Sequence, residues 1–216
     1  MSKHRSRYRE ASGAEGSFQL GSRRTMLANL KGITPKRVMD LAEYEALLVV
    51  QERYITSLTA DTQITTSLIC QMHADWLGEI YAWAGKYRTV ELQKSGFSWP
   101  PAFRVAENMM IFERDYLSRL TPCRPYALET VAEAIARVHA ELLLIHPFRD
   151  GNGRLARWLA DIMAAQAGYP IPGYGFVGRG SVERRRLYIA AVGQGYVQNY
   201  APLIVFFVEA ILRGAR

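Results

Sequence analysis

Twelve consecutive residues, His146 to Arg157, read HPFRDGNGRLAR and concentrate the groups in this chain best placed to do chemistry. Pro147 disfavours helical backbone at His146, so a helix arriving at Ile145 stops there. Asp150-Gly151-Asn152-Gly153 then turns the chain into a new helix. A glycine-rich turn feeding a helix N-terminus aims several backbone N–H groups at one point. Together with the positive end of the helix dipole, those donors make a phosphate site.

Arg154 and Arg157 fall in the first turn of the new helix and share a face. Cations there oppose the dipole at ~0.3–1 kcal/mol each. Leu155, Leu159 and Ile162 mark the buried face, so the arginines point elsewhere. A bound polyanion reverses their penalty, because guanidinium forks match phosphate oxygens; the plainer reading pairs Arg157 with Asp161 one turn on. Asp150 beside phosphates calls for a cation between them. Mg²⁺ commonly uses one or two carboxylates plus phosphate oxygens, and the plainer role for Asp150 is capping the turn. Asn152 suits either donation of its amide to a phosphate oxygen or a left-handed backbone. His146, with a reference pKa of ~6.5, suits a general base, or else a capping or packing role at a helix end. Phe148 is expected to anchor the loop in the core. No GxxxxGK[ST] string is present, so this is not a P-loop site.

The elements that must position this loop are read from periodicity. Apolar residues at helical spacing predict helices through Val38, Leu41, Tyr44, Leu48 and Ile55, and through TTSLICQMHADWLGEIYAWAG with Gly85 as its stop. A helix after Pro100-Pro101 follows. The strongest pattern runs through Val131, Ile135, Val138, Leu142 and Ile145, directly into the motif. The motif helix closes at Gly168, and SVERRRLYIAAVGQGYV and YAPLIVFFVEAILRG complete the set. Residues 87–101 break the pattern: alternation, β-branched residues and a turn near Lys94-Ser95-Gly96 predict a small β-hairpin. The expectation is an all-α domain over 26–216 with one hairpin, preceded by a flexible basic arm over 1–25.

Composition narrows the partners without choosing among them. The chain of 216 residues is 49% hydrophobic and carries a net charge of +7 from 27 basic and 20 acidic residues. That balance favours acidic partners such as nucleotides or nucleic acid. Neither a membrane-spanning apolar run nor a secretory signal is evident, which points to a cytoplasmic location. Cys70 and Cys123 have no metal-ligand spacing and read as reduced thiols.

The twelve-residue string resembles the signature of the Fic family, His-x-Phe-x-(Asp/Glu)-Gly-Asn-Gly-Arg-x-x-Arg. It matches at His146, Phe148, Asp150, Gly151, Asn152, Gly153, Arg154 and Arg157. AGYPI, YIAAVGQGYVQNYAPLIVFF, WAGKYRTVELQKSGFSWPP and LANLKGIT extend the resemblance over roughly residues 27 to 213. It implies a helical Fic fold with a hairpin flap beside the active site. The implied activity is AMP transfer from ATP to a Ser, Thr or Tyr hydroxyl of a target protein. His146 would be the general base and Asp150 would hold Mg²⁺. Gly151, Asn152 and Gly153 would form the anion hole, and Arg154 and Arg157 would bind the outer phosphates. Tyr188 is a candidate for the adenine pocket, or else packs in the core. The flap, Glu91, Leu92, Gln93, Lys94, Ser95, Gly96 and Phe97, would pair with an extended target segment. The intact Gly-Asn-Gly-Arg segment favours nucleotidyl over phosphate transfer, with UTP or GTP not excluded as donors.

Relatives are often inhibited by a helix bearing (Ser/Thr)-x-x-x-Glu-(Gly/Asn), whose glutamate meets the second motif arginine, here Arg157. Glu15-Gly16 has Ala11 four residues before it, and Glu10 is followed by Ala11, so neither fits. The resemblance therefore implies a toxin whose small antitoxin supplies the glutamate in trans, with a topoisomerase among the target classes. The competing class is a nucleic-acid-binding or regulatory protein with a non-catalytic Fic-like fold, although no helix-turn-helix or zinc pattern supports it.

Overall fold

The structure, a computed structural model, describes residues 15–94 and 96–215. Eight α-helices and one two-stranded hairpin are found among the described residues. The helices are α1 (Lys36–Ser57), α2 (Thr66–Leu77), α3 (Val105–Phe112), the short α4 (Ser118–Leu120), α5 (Leu128–Ile145), α6 (Asn152–Gln166), α7 (Ser181–Gly195) and α8 (Ala201–Gly214). A π turn over Glu113–Leu117 joins α3 to α4. Strands β1 (Gln93–Lys94) and β2 (Phe97–Ser98) pair antiparallel, Gln93 with Ser98 and Lys94 with Phe97. This is the helical fold with a small hairpin that the sequence predicts.

The described chain forms two compact units. One holds the residues up to Ser57, Thr66–Met109 and Ile145–Asn152; the other holds Leu58–Thr65, Met110–Leu144 and Gly153–Arg216.

In the first unit α1 packs on α2. The buried side of α1 is Met39, Glu43, Leu47, Val50 and Tyr54. The apolar series expected to face inward, Val38, Leu41, Tyr44, Leu48 and Ile55, lies on the exposed side. Two overlapping stripes run along this helix. The buried one includes Glu43, whose carboxylate accepts the Tyr81 hydroxyl at 2.6 Å while its carbonyl accepts the Trp76 indole N–H at 2.8 Å. Those partners satisfy a charge that hydropathy places outside. α2 also differs from expectation, ending at Leu77 rather than at Gly85. Gly78 follows, and short turns carry Ile80, Tyr81 and Trp83 into the core. Gly85, at φ +75°, marks a later turn.

Residues 1–14 of the expected arm lie outside the described residues. From Glu15 onward the chain is held: Glu15 accepts the Thr89 N–H and hydroxyl, both at 2.8 Å, and Phe18 bridges Leu27.

In the second unit α5 is the central apolar helix. Val131, Ile135, Val138 and Leu142 are each no more than 1% exposed, as their spacing predicts. α7 packs on α8. α6 ends in a Schellman arrangement, with Gly168 at φ +79° and the Tyr169 N–H bonded to the Ala164 carbonyl at 2.9 Å. The two cysteines are free, and burial pushes the Cys123 thiol up to about 11. No helix among the described residues is long and apolar enough to cross a membrane.

Candidate active site

The boundary between the units falls inside the motif, after Asn152. The first unit holds His146 through Asn152. His146 has φ +52°, a left-handed backbone that costs a non-glycine residue about 1–2 kcal/mol. Arg88 stabilises it. Its Nε donates to the His146 carbonyl at 2.8 Å, and its backbone N–H donates to the Pro147 carbonyl at 2.8 Å. The half-buried imidazole lies against Trp99, with ring centroids 4.1 Å apart.

Phe148 is fully buried and stacks on His73 at 3.9 Å with the rings nearly parallel. His73 Nδ1 accepts the Gly85 N–H at 2.8 Å. Its Nε2 therefore carries the proton and donates to the Asp150 carbonyl at 3.1 Å. The Asp150 side chain accepts the Gly151 N–H at 2.6 Å. Gly151 has φ +84°, and a Cβ there would sit 2.9 Å from the Trp76 ring, so the turn admits only glycine. Asn152 is already helical. Its amide is engaged on both atoms by Phe148, donating to the carbonyl at 2.7 Å and accepting the N–H at 2.9 Å. The Asn152 side chain thus closes the loop, leaving its backbone N–H at the mouth of α6.

The second unit holds Gly153, Arg154 and Arg157 on α6, with both arginines half-buried. Leu155 and Leu159 are buried, as expected, and Ile162 is half-buried. The Arg157 guanidinium lies 6.0 Å from the Tyr174 ring centroid and 5.8 Å from that of Phe176, a cation–π cradle. Burial raises the Tyr188 pKa, and the charge of Arg157 acts against that rise. His139 Nδ1 donates to the Ala156 carbonyl at 3.0 Å, so its Nε2 accepts the Tyr188 O–H at 2.8 Å. Burial drives the His139 pKa down to about 3, keeping the ring neutral. Tyr188 is 7% exposed among Phe176, Phe206 and His139. Asp161, the alternative partner for Arg157, is bonded by the Tyr174 hydroxyl at 2.7 Å. That hydroxyl also lies 3.0 Å from the Arg157 carbonyl. Burial raises the Asp161 carboxyl to about 7, against the lowering effects of Tyr174 and Arg157.

Sequence reasoning missed Arg88, Trp99, His73, His139 and Tyr174. One signal was available: Arg88 shares its alternation with Val90 and Leu92, both buried, so a charge stands in an inward register. The histidines gave none, since His73 and His139 lie on strongly apolar helices where packing alone would account for them.

Residues 63–164 match the Fic/DOC family. A protein adenylyltransferase Fic of Nematostella vectensis is 32% identical over 136 residues, covering 61% of this chain and 31% of the relative. The Drosophila melanogaster protein of the same name is 29% identical over 164 residues, 73% of this chain and 32% of the relative. The chain thus spans about a third of the length of these curated relatives. Among solved structures, the BepC protein of Bartonella tribocorum with bound AMPPNP aligns with a TM-score of 0.73 at 18% identity, covering 93% of this chain and 98% of the other. The N-terminal Fic domain of a Bartonella sp. AR 15-3 effector aligns at 0.75 and 17%, covering 94% of each. At these identities the structural likeness concerns the fold. Residues 63–164, which include the complete His146–Arg157 signature, carry the match to the Fic/DOC family, and the described residues share the fold of the solved Fic domains.

Proposed function

We propose that this protein is a protein adenylyltransferase, transferring AMP from ATP to a Ser, Thr or Tyr hydroxyl of a target protein. The observation that carries this reading is the intact motif loop, with His146 fixed at one end and α6 opening at the other. The curated relatives named for this activity support it. His146 takes the proton of the target hydroxyl, whose oxygen attacks the α-phosphorus as pyrophosphate leaves. Backbone N–H groups of Gly151, Asn152 and Gly153 meet the phosphate oxygens, and Arg154 and Arg157 hold the outer phosphates. This is positioning and electrostatics throughout.

The donor set fits Mg²⁺. No cluster of three or more acidic, His or Cys ligands exists among the described residues, and Mg²⁺ bound with a triphosphate needs only one or two carboxylates. Asp150 would hold the ion, which supplies neutralising charge to the phosphates. Tyr188 remains assigned to the nucleotide site. The flap residues Glu91 to Phe97 take an extended target segment; β1 and β2 are exposed, and Ser95 lies outside the described residues.

The protein acts in the cytoplasm as the toxin of a toxin–antitoxin pair, with a topoisomerase as one target class. An antitoxin supplies the glutamate that blocks Arg157. Glu15, followed by a glycine as an inhibitory glutamate would be, is bonded to Thr89.

Incubation with α-³²P-ATP, Mg²⁺ and bacterial lysate tests the reading. A labelled protein band that vanishes with His146→Ala is expected. Equal labelling by the variant, or none by the folded wild-type chain, overturns it.

A further inference from the structure

Arg88 is 2% exposed, and burial pushes its pKa down. Its side-chain hydrogen bonds go to backbone carbonyls rather than to a carboxylate. Besides His146, its guanidinium donates to the carbonyls of Val90 at 2.9 Å, Pro100 at 2.6 Å and Ile145 at 3.4 Å. Val90 precedes β1 and Pro100 follows β2, so one side chain ties both ends of the hairpin to the last turn of α5 and the carbonyl of His146. The Arg88 backbone N–H adds the Pro147 carbonyl. Desolvating a guanidinium is costly, and a planar fork is the side chain able to meet several carbonyls in fixed directions. A lysine offers a point charge without that geometry.

The acceptors sit where strain must be held. His146 is the one non-glycine residue of the motif loop with positive φ. Between the second strand and His146 lies Trp99, edge-on to Phe97 at 5.3 Å and against the imidazole at 4.1 Å. The Trp99 N–H bonds back to the Leu92 carbonyl at 3.1 Å, closing the hairpin base. Hairpin and imidazole are therefore held by one set of contacts centred on Arg88.

We infer that Arg88 is a positioning residue for the His146 imidazole, fixing it in register with the flap. The inference rests on the reading of His146 as the general base. Arg88 touches no reacting atom; it sets where the base stands relative to a segment paired on the hairpin.

The test compares wild type, Arg88→Lys and His146→Ala in lysate labelling from α-³²P-ATP, with far-UV circular dichroism to verify folding and NMR of the His146 ring protons. In folded Arg88→Lys, the rate at saturating ATP is expected to fall roughly 10- to 100-fold, as small misplacements of a reacting group do. The apparent KM for ATP stays within twofold, and the ring protons shift as their seat against Trp99 changes. A rate within twofold of wild type, a rise in KM alone, or unmoved ring signals overturns the inference. Full labelling by His146→Ala would instead sink the adenylyl-transfer reading. If Arg88→Lys does not fold, exchange of the Arg88 Nε proton in wild type decides. Protection from solvent upholds the clamp, and exchange as fast as that of an exposed arginine overturns it.

Discussion

His139 Nε2 accepts the Tyr188 hydroxyl at 2.8 Å, and the charge of Arg157 lowers the pKa of that same hydroxyl against the burial that raises it. The ring is neutral and its other nitrogen is committed to the Ala156 carbonyl, one residue before Arg157. A buried hydrogen-bonded pair thus lies within electrostatic reach of the arginine that the proposed reaction uses to hold phosphate.

Tyr188→Phe removes this pair's hydroxyl while keeping the ring. The buried Nε2 loses its donor at about 1–3 kcal/mol of stability. We expect a several-fold rise in apparent KM for ATP, measured by label incorporation. In an Arg157→Ala background the same change should add little, because its partner is gone. Additive effects in that double-mutant cycle would separate Tyr188 from Arg157.

Asp161 gives a pH signature. Its unfolded pKa of 3.8 rises to about 7 in the fold, so the folded state prefers the neutral acid. Its contribution is fully present below about pH 4, is lost as pH rises towards 7, and is flat above. The corresponding ceiling is about 4 kcal/mol. His139, lowered from 6.5 to about 3, acts oppositely, removing stability as pH falls through that window. Tyr174 and Arg157 face Asp161, and both lower its pKa through their side chains. The expected outcome is that Asp161→Asn gains thermal stability relative to wild type on going from pH 4 to pH 7.5. A constant difference across that range would contradict it.

Gly151 and Gly96 make a controlled pair, since both have φ near +84°. A Cβ at Gly151 meets the Trp76 ring at 2.9 Å and His73 Nε2 at 3.2 Å, whereas at Gly96 nothing lies within 4 Å. Gly96→Ala should cost about 1 kcal/mol from backbone strain alone. Gly151→Ala should cost several kcal/mol, since overpacking adds to that strain. Urea denaturation of the two variants distinguishes them.

On α1, Leu47→Ala should destabilise by about 2–5 kcal/mol and Leu41→Ala by no more than about 0.5 kcal/mol. Leu47 is 9% exposed and Leu41 54%. Equal losses would mean that the helix presents a different face to the core.

The local features of this protein follow from its sequence. Pro147 and the glycines of the motif end one helix and open another, because their backbone restrictions act on immediate neighbours. The face of α5 is legible because its apolar stripe is single and wide. α1 was not, because two stripes compete on it and only packing against α2 decides between them, burying Glu43 with Tyr81 and Trp76. The hairpin is legible in the alternation of residues 87–101, but not that Arg88 binds its ends to His146, nor that His73 braces Asp150 from 77 residues away. Nor could spacing show that Asn152 spends its amide on Phe148, or that His139 stands behind Tyr188. Such partners are chosen by burial, which leaves a polar group no solvent to bond with, and burial is a property of the folded chain rather than of any stretch of it.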